Sequence, residues 1–200
     1  MMGILRYVLN MLPYMLCALP VILLWRGIRV PGLRSKGVRT TLWHEAGLLV
    51  FALFLVGLAS QTVIPKLEFD GGAVRILSGG ASGINLIPLR VFYDTYYEVF
   101  VQGNFEYFLI NFLGNIVMFL PIGFLIPLLW NKKSLRTAAL AGFCCSLFIE
   151  LSQIPQPRGT DVDDLWLNTL GAVLGWVVFA AVQKAAPAFT GRFCLNHSKR

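Results

Sequence analysis

Charge is scarce in this chain, and acid is scarcest. Among 200 residues there are ten Asp and Glu, 17 Lys and Arg and two His, so charged side chains make up 14% of the sequence. A water-soluble domain carries about 25%. With 56% hydrophobic residues and a mean hydropathy of +0.68, most of the apolar surface must face lipid or other helices. There are four cysteines and no C-x-x-C pair. Cys17, Cys144 and Cys145 fall within apolar runs and read as small buried residues, so zinc spacing is excluded. Gly-rich phosphate loops and nucleophile motifs are also missing, which removes P-loop and nucleophile-elbow chemistry. No internal repeat is visible, which argues against a repeat-built transporter. No cofactor and no metal site is assigned from the sequence.

What the chain does have is five long apolar runs, at 5–25, 42–64, 107–130, 135–154 and 165–185. Each suits a bilayer-spanning helix of about 17–25 residues. The first carries Pro13 and Pro20 and no small-residue cleavage site, and is read as a retained, kinked membrane helix rather than a signal peptide. The expected fold is therefore an all-α membrane protein, a bundle of about five transmembrane helices. Arg26, Arg29, Arg34, Lys36 and Arg39 lie in the basic loop 26–41, Lys132, Lys133 and Arg136 in a short loop, and Lys184, Arg192, Lys199 and Arg200 in the tail. In a five-helix topology these twelve cations fall on one side, which the positive-inside rule makes cytoplasmic. The N-terminus is then outside and the C-terminus inside. Topology accounts for the net charge of +7, so no nucleic-acid partner is invoked. The partner implied is the lipid bilayer.

Four segments follow: two N-terminal helices over 1–64, an extracytoplasmic loop over 65–106, a three-helix core over 107–185 and a basic cytoplasmic tail over 186–200. Within the loop, Asp70-Gly71-Gly72 suits a hairpin turn and GGASG at 79–83 a flexible joint. Phe92, Tyr96, Val99 and Phe100 recur at helical spacing, which predicts an amphipathic helix over 90–101 on the outer membrane surface.

The few acids are not spread evenly. Four of the ten, Glu150, Asp161, Asp163 and Asp164, lie at the edge of apolar runs, three of them within four residues. Asn111 and Asn115 share one helix face. So do Ser146, Glu150 and Gln153 on the next span, and Asp161, Asp164 and Asn168 on the last. All three stripes fall at the same depth. An ionisable group inside a span costs about 2.5–3.5 kcal/mol on insertion scales and normally faces a bundle interior or a wet cavity. The expected site is an outward-facing polar pocket of Asn111, Asn115, Glu150, Gln153, Asp161, Asp164 and Asn168, with Arg158 as a nearby cation. Helix capping is the competing explanation for Asp161 and Asp164, and the preferred one for Asp163. Interhelical hydrogen bonding competes for the two asparagines. Gly171 and Gly175 form a small-xxx-small packing pair. His44-Glu45 reads as an interfacial pair.

These same residues carry a family resemblance. Asn85-Leu86-Ile87-Pro88, the run Asn111-xx-Gly114-Asn115-xxx-Phe119-x-Pro121-x-Gly123, and Glu150-xx-Gln153 followed by Arg158-xx-Asp161-xx-Asp164-xxx-Asn168-xx-Gly171-xxx-Gly175 resemble the VanZ-like family over about 85–176. The resemblance implies a multi-pass protein of the bacterial cell membrane. It also implies an association with resistance to teicoplanin, a glycopeptide antibiotic that targets the cell wall. Two functions are expected on this basis. One is binding of a cell-envelope ligand, such as a lipid-linked cell-wall precursor or a glycopeptide antibiotic. The other is a membrane-embedded enzyme on a lipid-linked envelope substrate, with Glu150 and Asp161 or Asp164 as acid and base, or as oxygen ligands for Mg²⁺ or Ca²⁺.

Overall fold

The computed structural model describes residues 2–35, 37–64, 67–70, 73–76, 84–155 and 160–197. It is helical almost throughout. Five helices are long and apolar enough to cross a membrane: Leu9–Leu33, Leu42–Thr62, Phe105–Trp130, Leu135–Gln153 and Val162–Ala185. The first belongs to α1 (Met2–Ser35), which runs through Pro13, Pro20 and Pro31. Most of the segment expected as the loop 26–41 is therefore helix. Arg26 pins α1 to the first turn of α2 (Leu42–Thr62) by a bidentate ion pair, its Nε and Nη2 each 2.7 Å from a Glu45 carboxylate oxygen.

The hairpin expected around Asp70 is present as β2 (Leu67–Asp70) antiparallel to β3 (Ala73–Ile76), with Asp70 opposite Ala73. Gly71, Gly72 and the 79–83 joint lie outside the described residues. The helix expected over 90–101 forms as α3 (Arg90–Tyr96) and a π-helical turn, Tyr97–Val101. The third span starts as α4 (Phe105–Tyr107), passes through a π-helical stretch, Phe108–Leu113, and continues as α5 (Gly114–Trp130). In a π turn the N–H bonds run to i−5. The side-chain amides of Asn111 and Asn115 donate to the i−4 carbonyls of Tyr107 and Asn111, at 3.1 and 3.0 Å.

α7 (Val162–Ala185) is the hub, packing most extensively on α5 and then on α6 (Leu135–Gln153). A Cβ on Gly171 would run into the carbonyl oxygen of Ile116. One on Gly175 would strike Leu120 O, and one on Gly123 would strike Ala172 O. Bare backbone is thus what lets α5 and α7 touch. The pairs 116 with 171 and 120 with 175 advance together, so the two helices run parallel. Beneath this crossing lies the apolar core, with Phe119, Ile122, Leu129 and Phe179 almost fully buried.

Residues 186–197 fold back against the start of α2. After α8 (Pro187–Gly191), Phe193 packs beside Trp43, and a Cβ on Gly47 would touch its ring. The Phe193 carbonyl accepts a hydrogen bond from His44 Nδ1 at 2.8 Å. Arg192 O accepts one from Thr41 Oγ1 at 2.6 Å. β1 (Val38–Arg39) pairs antiparallel with β6 (Asn196–His197).

Candidate functional site

The site is built around the first turn of α7. Asp161 is the N-cap residue, with extended backbone, and its Oδ1 accepts the Asp163 N–H at 2.9 Å. That is ordinary capping of a donor the helix cannot satisfy itself. The same Oδ1 accepts from Asn85 Nδ2 at 2.9 Å. Asn85 arrives on β4 (Ile84–Asn85), paired parallel with β5 (Thr160–Asp161) in the register Asn85 to Asp161. The backbone N–H of Asp161 donates to Glu150 Oε2 at 3.0 Å. Glu150, on the last turn of α6 and only 4% exposed, thereby ties the end of α6 to the start of α7.

Deeper in the bundle, Asp164 Oδ1 accepts a short hydrogen bond from Asn115 Nδ2, which joins α5 to α7. Ser146 Oγ, fully buried on α6, lies 3.3 Å from the Asp164 carbonyl and receives Asn168 Nδ2 at 2.9 Å. The other side of that amide stands alone. Asn168 is 4% exposed, and its Oδ1 has no hydrogen-bond donor among the described residues.

Asp163 takes a different role from the one expected of it. Its side chain is 1% exposed. It does not cap the backbone of its own helix. Its Oδ1 accepts the Leu89 N–H at 2.6 Å and Trp166 Nε1 at 2.8 Å, and its Oδ2 accepts the Val91 N–H at 2.8 Å. Asp163 therefore caps α3 from another element. Leu89, the N-cap position of α3, has φ of 66° and makes no side-chain cap bond. Phe92, Phe112 and Trp166 close over this junction, with ring centroids 5.7 to 6.4 Å apart.

Of the expected site residues, Asn115, Glu150, Asp161, Asp164 and Asn168 come together at one end of the bundle. Asn111 does not join them. It is exposed, and its amide serves the π-helical backbone. Gln153 turns toward α2, where Nε2 donates to the Thr62 carbonyl at 3.1 Å. Arg158 lies outside the described residues. Asn85 and Ser146 complete the cluster from outside the expected set. Ser146 is legible in the α6 stripe, four residues before Glu150. Asn85 has no periodic signal at all, since only a chain crossing of more than seventy residues brings it to Asp161. Among the described residues no group of three His, Cys, Asp or Glu side chains is placed to hold a metal ion.

Five apolar spans, three of them joined by a hydrogen-bonded polar cluster at one end, define a multi-pass helical membrane protein. The VanZ/LLP1 family model matches residues 46–183. The chain belongs to that family, and the match reaches back into α2, beyond the 85–176 stretch that carried the resemblance. No curated protein and no solved structure matches the chain.

Proposed function

We propose that this VanZ-family protein lies in a bacterial cell membrane with its polar cluster on the outer side, binds a cell-envelope ligand there, and lowers sensitivity to teicoplanin-type glycopeptides. The observation that carries the binding reading is the unpartnered Asn168 Oδ1 beneath the carboxylates of Glu150, Asp161 and Asp164. Buried polar groups are almost always hydrogen-bonded. An acceptor-rich cluster with one acceptor left over suits a ligand rich in donors, such as sugar hydroxyls or peptide amides. The twelve cations of 26–41, 131–136 and the chain's end support the orientation. Antibiotic sensitivity enters through family membership alone. The test is expression in a susceptible Gram-positive host. The inhibitory concentration of teicoplanin should rise more than that of vancomycin. No change, with the protein confirmed in the membrane, would assign it another envelope task. Turnover of a lipid-linked precursor by the purified protein would replace binding with catalysis by the same carboxylates.

A further inference from the structure

Between Arg90 and Val101 the exposed side of the chain is wholly aromatic. Val91 is buried, and Asp94, Thr95, Glu98 and Val99 are half-buried. The positions left outward are Phe92, Tyr93, Tyr96, Tyr97 and Phe100, all exposed. Val99, grouped by spacing with Phe92, Tyr96 and Phe100, turns inward instead. The rings stand against one another, with Tyr93 and Tyr97 centroids 6.5 Å apart and Tyr96 and Phe100 centroids 5.3 Å apart. A surface helix in water does the reverse, keeping its apolar stripe inward and its polar residues outward.

Both ends of this segment are held where membrane spans begin. Asp163, in the first turn of α7, accepts the N–H groups of Leu89 and Val91. At the other end Asn104 donates its backbone N–H to the Glu98 carbonyl at 2.8 Å and its side-chain Nδ2 to Glu98 Oε2 at 3.0 Å. The third span starts at the next residue, Phe105. Because α5 and α7 run parallel, these two starts lie at the same end of the bundle. The aromatic side is also continuous with the surface of the third span. Phe92 lies 5.7 Å from Phe112, Phe112 lies 5.5 Å from Phe108, and Phe108 lies 5.7 Å from Phe105. Further along that span Ile110, Leu113 and Val117 are exposed, where hydrocarbon is the surrounding medium.

We propose that Phe92, Tyr93, Tyr96, Tyr97 and Phe100 sink into the headgroup–acyl boundary of the bilayer, so that α3 and its π-helical turn form an interfacial anchor beside the polar cluster. Tyrosine suits that depth, having an apolar ring and a hydroxyl that can reach water or headgroups. The attraction is apolar, not electrostatic. Residues 90–101 hold one cation, Arg90, against two acids, Asp94 and Glu98, and Arg90 Nε is already paired with Asp94 at 3.2 Å. The occupant of this face is therefore the lipid boundary itself and not an anionic headgroup. The inference is independent of what binds at the polar cluster.

The test uses the full chain in phosphatidylcholine nanodiscs. Nitroxide labels are placed one at a time in a Cys-free background at Tyr93→Cys, Tyr96→Cys, Tyr97→Cys and Phe100→Cys. Gln102→Cys, exposed and beyond the aromatic stripe, is the reference. Collision with oxygen, which concentrates in lipid, is compared with collision with a water-soluble nickel chelate. A face sunk about 5–10 Å into the boundary should raise the oxygen-to-nickel ratio about fivefold over Gln102. Phosphatidylglycerol added to the discs should leave that ratio unchanged. In the parent chain, which needs no substitution, phosphatidylcholine with a diazirine near the glycerol end of one acyl chain should label the 92–100 peptide. Ratios equal to that of Gln102 put the face in water, open to a soluble partner such as a sugar, and overturn the inference. Weak collision with both reagents at all four positions means that protein covers the face, as in a pairing of two copies, and overturns it too. Insertion that appears only with phosphatidylglycerol overturns the apolar basis. Absence of photolabel on the 92–100 peptide of the parent chain overturns the inference even where the Cys-free variants fail to fold.

Discussion

Asp163 Oδ1 accepts the backbone N–H of Leu89 at 2.6 Å across 74 residues of chain. The carboxylate at the start of a membrane-spanning helix is in this way the cap of the short helix α3, and it fixes α3 beside the N-terminal end of α7. Nothing about a first-turn aspartate announces this, because the same position is equally suited to its own helix dipole.

Replacing Asp163 should therefore cost stability. Asparagine offers one acceptor oxygen and places an N–H₂ group against a backbone N–H. Hydrogen bonds to charged groups contribute about 1.5–3 kcal/mol each, so Asp163→Asn should lower the melting temperature of the detergent-solubilised protein and its level in the membrane. A melting temperature equal to that of the parent would refute the tether.

The neighbouring acids should behave in the opposite way. Glutamine at 150 still accepts the Asp161 N–H, and asparagine at 164 still accepts from Asn115. Glu150→Gln and Asp164→Asn should leave membrane levels nearly unchanged while abolishing the glycopeptide phenotype. A quantitative membrane blot paired with inhibitory concentrations reads both. If each variant keeps the parent's phenotype, the charges serve the fold alone.

Glycine substitutions separate helix packing from helix propensity. Gly123→Ala, Gly171→Ala and Gly175→Ala each drive a methyl group into a carbonyl of the facing helix. Overpacking of this kind costs about 1–3 kcal/mol, to be read as loss of folded protein on heating. Gly32→Ala meets no atom within 4 Å and should be neutral or slightly stabilising, since alanine is the better helix former by about 0.5–1 kcal/mol.

The orientation is open to labelling in intact cells. In a Cys-free background, Gln102→Cys, at the end of the π-helical turn after α3, should react with an impermeant maleimide. Lys133→Cys, in the loop between α5 and α6, should react only after the cells are opened. The reverse pattern would turn the bundle over and place the polar cluster in the cytoplasm.

The spans and their polar faces were legible in the residues alone. Both follow from composition and from 3.6-residue periodicity, which are local properties. Spacing placed Asn115, Glu150, Asp161, Asp164 and Asn168 at one depth because every helix rises by the same amount per residue. It also marked Gly171 and Gly175 as a packing pair. Tertiary structure decided the partners. Asn111 and Asn115 occupy the same face by spacing, yet the π-helical stretch leaves one serving backbone carbonyls while the other also reaches Asp164. Gln153 shares a stripe with Glu150, but α2 stands beside it and its amide goes to Thr62. Asn85, Leu89 and Val91 reach Asp161 and Asp163 only because β4 lies against β5. A hydrogen bond depends on two atoms within about 3 Å. Periodicity fixes a side chain's direction around its own helix axis, and only the packing of helix on helix decides what stands in that direction.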